Sequence, residues 1–393
     1  MTESTSIPLK VIENPEDNSF YSGTLPKGCR HCVKGGKLVL FITGLCPQRC
    51  FYCPVSEEKF AKDRIFANER EITTTEELID EAKLIDATGA GITGGDPLTV
   101  PKRCKEYIEI LKKTFGKDFH THLYTPMKLV KRETLKLLYD AGLDEIRFHP
   151  DLDNDEMWDR IKLATEFDWD IGLEIPCLPD KEEQTKKLMD YAKDFVTFIN
   201  LNELEFSDTT VSHYKMSEHN YTPKNNTSYG VAGSAELARE LIRYNKEKEL
   251  GLTVYFCPSR LKDKTQMGNR MKRRANNVKL PGDIVTSEGT LIRGIVYLKE
   301  LTPGFSYKKK IEAAQSDSDK KAALMSKLQK TKDEIADVFK KRAVTIDDKK
   351  FRIIISKKFV EKNVQKLKLM KLVPAVVEEY PSHDSLELEI EIL

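Results

Sequence analysis

Residues 38–206 alternate without a break between short apolar runs and longer stretches of helical periodicity, a pattern that few architectures accept. The runs at 38–44, 91–93, 120–125, 145–149, 171–176 and 198–206 have strand length and composition. Between them, residues 76–87, 101–116, 131–139, 157–165 and 182–195 place apolar side chains at helical spacing. The first of these follows three N-cap candidates, Thr73, Thr74 and Thr75. Six strands with helices between them are the mark of βαβ units, a parallel sheet and the α/β class. Right-handed crossovers wind such units one way, so the C-terminal ends of the strands share one face, where barrel sites lie.

That face receives the stretch Cys46-Pro47-Gln48-Arg49-Cys50-Phe51-Tyr52-Cys53, directly after the first strand. Three thiols in C-x₃-C-x₂-C spacing can converge on one centre. A structural zinc closes four ligands, and a [4Fe–4S] cluster usually takes four cysteines. Three in a tight loop suggest a cluster with one iron left open for a substrate or cofactor. A zinc knuckle or a chance group of cysteines is the plainer alternative. One βα unit later, Gly94-Gly95-Asp96-Pro97 turns on the same face, and glycine there lets backbone approach a ligand closely.

Together these two motifs resemble those of the radical S-adenosylmethionine (SAM) superfamily, over residues 38–206 with an extension to Cys257. The cysteine loop carries an aromatic residue, Tyr52, before its third cysteine. The turn resembles the family's GGEP, with Asp96 where Glu is commoner. The resemblance implies a partial (β/α)₆ barrel, with Cys46, Cys50 and Cys53 ligating three irons of a [4Fe–4S] cluster and SAM chelating the fourth. Reductive cleavage would then give methionine and a 5′-deoxyadenosyl radical. It implies SAM contacts at Tyr52, Gly94, Gly95, Asp96, Pro97, Arg147, Glu174 or Pro176, and Asn202. It also implies an external one-electron donor of flavodoxin or ferredoxin type, and oxygen sensitivity. The Gly-Cys-x-x-Cys before the first strand, Cys53-Pro54 and Cys257-Pro258-Ser259-Arg260 are similar to a mainly archaeal group, related to the pyruvate formate-lyase activating enzymes, that carries no assigned substrate.

Five of the eight cysteines fall between Cys29 and Cys53. Without a basic, then apolar, leader in residues 1–7, such crowding favours metal over disulfides and a reducing cytoplasmic setting. The pair Cys29 and Cys32 needs its own account. If the strand at 252–257 closes the barrel or abuts its first strand, Cys257 could join them. The three would form a second site, an auxiliary Fe–S cluster or a zinc, with His31, another side chain or substrate as fourth ligand. A pair of free loop thiols is the alternative. Cys104 reads as inert, and Cys177 as a candidate reactive thiol near the rim.

The net charge of +1 hides an asymmetry: from Pro258 onward there are 30 Lys and Arg against 19 Asp and Glu. A basic C-terminal third points to a polyanion such as RNA, or to a solvated lysine-rich face. No apolar run approaches the roughly 20 residues needed to span a bilayer, so no membrane partner is expected. The expected organisation is an N-terminal extension with the C-x-x-C at 1–37, the barrel at 38–260 and a smaller basic α+β domain at 275–393. Three readings compete: modification of RNA, modification of a protein or peptide (including glycyl-radical activation), and a non-catalytic Fe–S or zinc module.

Overall fold

The computed structural model describes residues 10–207, 215–340 and 343–393. The chain divides into two compact units, Met1–Arg270 and Met271–Leu393. Residues 1–26 read as irregular from sequence; 1–9 lie outside the described residues, and the rest form a hairpin of β1 (Val11–Asn14) and β2 (Ser19–Ser22) followed by α1 (Lys27–Val33). Cys29 and Cys32 therefore sit on a helix, three residues apart and on one face.

The βα alternation then runs as read. It comprises β3 (Lys37–Phe41), a two-residue hairpin of β4 (Phe66–Ala67) and β5 (Arg70–Glu71), α2 (Thr75–Leu84), β6 (Gly89–Thr93), α3 (Pro101–Phe115) and β7 (His120–Pro126). After these come α4 (Arg132–Asp140), β8 (Glu145–His149), β9 (Asp170–Cys177), α5 (Glu182–Ala192), β10 (Phe198–Glu203), α6 (Ser234–Glu247) and β11 (Thr253–Cys257). Thr74 and Glu77 close a reciprocal capping box at the start of α2. The helix expected at 157–165 is a tighter 3₁₀ stretch, Trp158–Glu166. Ser234 is not the cap of α6: its hydroxyl donates to the Cys177 carbonyl at 2.9 Å and accepts from the Leu204 amide at 3.0 Å.

The sheet order is β1-β2-β11-β10-β9-β8-β7-β6-β3-β4-β5. Seven strands, β3 and β6 to β11, are parallel: the six of the βα alternation and the strand read at 252–257. The seventh, β11, does not meet β3; it extends the sheet beyond β10 and pairs antiparallel with β2. The winding is that of an open, partial barrel. The layer between sheet and helices is apolar, and there Leu38, Leu40, Ile92, Leu123, Ile146, Leu173 and Leu201 are fully buried.

The unit boundary falls within α7 (Gly268–Val278). The second unit holds β12 (Ile284–Val285), β13 (Leu291–Leu298), α8 (Tyr307–Gln315), α9 (Ser318–Phe339), β14 (Thr345–Asp347), β15 (Arg352–Ile355), α10 (Lys357–Lys362), α11 (Val364–Leu369), β16 (Leu372–Glu379) and β17 (Glu387–Ile392). Its antiparallel sheet runs β14-β15-β13-β16-β17, with β12 on β13. α8 and α9 are separated at 316–317, where Asp317 caps α9 by accepting from the Asp319 and Lys320 amides. Among the described residues no helix is long and apolar enough to cross a membrane.

Candidate active site

The C-terminal ends of the parallel strands wall a cavity of about 440 Å³. Cys46, Cys50 and Cys53 enter from the loop after β3. Thr93 ends β6 and Gly94 and Gly95 follow it, and Tyr124, Thr125 and Pro126 end β7. His149 ends β8, Pro176 lies near the end of β9, Asn202 and Glu203 end β10, and Lys262 follows β11.

The glycine turn is docked on the cysteine loop. The Gly95 amide donates to the Thr43 carbonyl and the Asp96 amide to the Leu45 carbonyl, both at 2.8 Å. A Cβ on Gly95 would stand 2.4 Å from the Leu45 oxygen and 2.9 Å from the Cys46 Cβ. Gly94 has φ +152, and a Cβ there would lie 2.3 Å from the Thr43 oxygen. The close approach of the two loops, rather than turn geometry alone, demands the glycine pair. From outside, Asp63 accepts from the Thr43 hydroxyl at 2.9 Å and takes two bonds from Arg103 at 2.6 and 2.9 Å. Those Arg103 bonds hold its carboxyl down at about 2.

Asp96 and Pro97 are not on the cavity wall. Asp96 Oδ1 accepts from the Leu98 amide at 3.0 Å and the Thr125 hydroxyl at 2.8 Å, capping the short turn Pro97–Thr99, while Oδ2 is buried with no partner among the described residues. Burial raises this carboxyl to about 6. Its folded value stands above the unfolded one, so its ionisation opposes folding as pH rises from about 4 to 6, by up to about 3 kcal/mol. Asp96→Asn keeps the accepting oxygen without the charge. The variant is expected to match the wild type near pH 4 and to exceed its stability at pH 8, a difference readable from paired denaturation curves. Equal curves at both pH values would mean that the carboxylate is solvated.

Tyr52 stands on the wall as expected. Its hydroxyl lies 2.8 Å from His149 Nε2, and His149 Nδ1 lies 2.8 Å from the Glu174 carbonyl. A carbonyl only accepts, so Nδ1 carries the proton and Nε2 accepts from Tyr52. Burial holds His149 below its usual range, in keeping with that neutral form. Sequence reading missed the cover of the loop: Phe51 stacks on His219 at 3.7 Å between ring centres, with Tyr221 beyond, and the Lys215 amide donates to the Phe51 carbonyl at 2.8 Å. An aromatic beside a cysteine motif, facing two aromatic side chains 168 and 170 positions on, leaves no local signal.

Of the other residues expected to meet SAM, Asn202 and Pro176 line this cavity, but Arg147 and Glu174 do not. They face a second, deeper cavity, joined at 2.6 Å by Arg147 Nη1 and Glu174 Oε2. Glu174 also accepts from Asn200 at 3.0 Å and Asn202 at 3.1 Å. Cys177 is buried and its thiol is pushed up by burial, so it offers no reactive group at the rim. Cys104 is buried and donates to the Pro97 carbonyl at 3.3 Å.

The donor set decides what the upper cavity can hold. Burial raises all three loop thiols, Cys50 to about 12, so loading a metal must release their protons. Both nitrogens of His149 are engaged, Glu203 accepts from the Ser259 amide and hydroxyl at 2.9 and 2.8 Å, and Glu205 is paired with Lys262. Three sulfurs remain, with no free fourth side-chain ligand among the described residues of the wall. That fits a [4Fe–4S] cluster with one iron open to a small-molecule ligand, and does not fit a closed four-ligand zinc.

Residues 40–201 match the family model for the radical SAM superfamily. A protein of Methanocaldococcus jannaschii, provisionally named as a glycyl-radical enzyme activating enzyme, is 44% identical over 297 residues, which are 73% of this chain and 77% of that protein. The chain belongs to the radical SAM superfamily. It is an enzyme of radical SAM type, related to the activating-enzyme group, and such enzymes use a [4Fe–4S] cluster and SAM. Solved structures that the chain matches include the radical SAM methyltransferase TsrM of Kitasatospora setae with tryptophan and a SAM analogue bound (16% identity, 55% of this chain and 48% of that one, TM-score 0.35). Methylornithine synthase (10% identity, 57% and 71%, TM-score 0.36) is another. The match spans about half of the methyltransferase.

Proposed function

We propose that this radical SAM enzyme activates a partner polypeptide by abstracting a hydrogen atom from a glycine, using Cys46, Cys50 and Cys53 as the cluster ligands. The observation that carries the ligand assignment is the three-sulfur wall with its neighbouring histidine and carboxylates already committed. The polypeptide substrate is supported by the name of the relative that shares 44% identity over 77% of its length.

Loaded, the site supplies reductive cleavage of SAM to methionine and a 5′-deoxyadenosyl radical. The chain's own part is to hold and to shield. The Gly94–Gly95 turn presents backbone with no side chain in the way, against the first cysteine. Tyr52, fixed by its bond to His149, and Asn202, fixed by Glu174, offer oriented polar groups across the cavity. The Phe51–His219–Tyr221 stack packs on the outer side of the loop. Activating enzymes of this kind draw their electron from an external donor.

The test uses SAM turnover as its readout. Deoxyadenosine formation by the loaded enzyme is expected to rise on adding extract of its own source cells, and the stimulation should vanish after protease treatment of the extract but survive ribonuclease. The reverse sensitivity would replace this reading with RNA modification, for which the charge surplus after Pro258 is the support.

A further inference from the structure

Below the upper cavity lies a second one of about 200 Å³, lined by Cys29, Cys32 and Cys257. The first two come from α1 and the third from the end of β11, more than 220 residues later. Tyr124, Asn202 and Lys262 line both cavities, so a single layer of side chains separates them. We propose that these three cysteines hold a second iron–sulfur cluster, distinct from the one assigned to the loop after β3.

Four observations point there. First, donors are aimed at the sulfurs. Arg147 Nη2 lies 3.4 Å and Asn200 Nδ2 3.1 Å from Cys29 Sγ, and Gln266 Nε2 lies 3.7 Å from Cys257 Sγ. A neutral thiol is a weak acceptor and does not need such company; a metal-bound thiolate does, and N–H···S bonds of this kind tune clusters. Second, one cation of the wall lacks a carboxylate partner among the described residues: Arg147 bonds to Glu145 and Glu174 and Lys262 to Glu205, while the Lys37 ammonium bonds to the Tyr124 hydroxyl at 3.0 Å. An ammonium in such a site calls for negative charge. Three thiolates around a cluster supply it. Third, the volume is several times the roughly 30 Å³ share of one water, so a single ion would leave most of it empty. Fourth, no fourth protein ligand is free among the described residues of the wall. Glu174 is committed to Arg147, Asn200 and Asn202, and Tyr124 to Lys37 and His122. His31, a fourth-ligand candidate from sequence, is turned away: its Nδ1 meets the Thr88 hydroxyl at 2.7 Å and its ring stacks on His120. A structural zinc would lack its fourth ligand, whereas a cluster tolerates one open iron.

The full chain is reconstituted anaerobically with iron and sulfide, and iron, acid-labile sulfide and zinc are counted per chain. The deciding protein is Cys46→Ser/Cys50→Ser/Cys53→Ser, which empties the upper site and leaves the lower one intact. It is expected to retain two to four iron atoms with matching sulfide, and a Mössbauer spectrum of cluster iron. Adding Cys29→Ser/Cys32→Ser/Cys257→Ser should remove them, and thermal melts show whether that six-fold variant is folded. Less than one iron in the deciding protein, or about one zinc in place of iron, overturns the proposal. Failure of the upper site alone shows differently, as iron and sulfide unchanged between wild type and the deciding variant.

Discussion

Arg147→Ala is expected to cost the apo protein about 3–5 kcal/mol, the range for removing one partner from a buried ion pair. Arg147 is 2% exposed, and both carboxylates it serves, Glu145 and Glu174, lie on the barrel interior. Burial alone would push the Glu174 carboxyl up; the guanidinium is the main reason it stays low instead. Without it, both carboxylates lose their guanidinium partner. Glu145 also accepts from the Gly28 amide at 3.1 Å, so the same change loosens α1 on the barrel floor. Urea denaturation of the apo chain measures the loss. A cost under 1 kcal/mol would show that water reaches the deeper cavity freely and replaces the guanidinium.

Gly95→Ala is expected to lower the rate of SAM cleavage by roughly 100-fold or more while leaving the chain folded. The new Cβ would stand 2.4 Å from the Leu45 oxygen and 2.8 Å from its carbonyl carbon. Those are backbone atoms, bonded into the loop that carries Cys46, and cannot swing aside as a side chain would. The two loops must separate by about 1 Å, and a misplacement of that size in a positioned site costs about 10²-fold. The check is deoxyadenosine formation against cluster content. A variant with a full cluster and an undiminished rate would show that the glycine turn does not set the cavity's geometry.

Much of this was legible because periodicity reports burial. β8, at Glu145–His149, was bounded correctly since both its faces are packed and its neighbours are clear turns. β1 left no signal, as all four of its residues are exposed. β16 was hidden by Pro374, which normally demotes a strand, though here it pairs with Val296. α1 was hidden because Gly28 and two cysteines read as a loop. The misplacement of Arg147 and Glu174 has a simple origin. Side chains on one face of a strand recur every two residues, so Arg147 lies one layer below His149 and Glu174 one layer below Pro176. Counting back from the strand ends would have put both in the deeper cavity. The gathering of Cys29, Cys32 and Cys257 needed a fact that sequence does not carry: β11 lies beside β10 and β2, with the N-terminal hairpin leading straight into α1.

Cluster-dependent cleavage of SAM is measured most directly as deoxyadenosine formation by the anaerobically reconstituted chain with dithionite and SAM, run beside Cys50→Ala. Deoxyadenosine and methionine are expected in equal amounts from the wild type and neither from the variant. Deoxyadenosine at an equal rate from Cys50→Ala, or none from a wild type whose cluster is loaded and reduced, would contradict cluster-dependent cleavage.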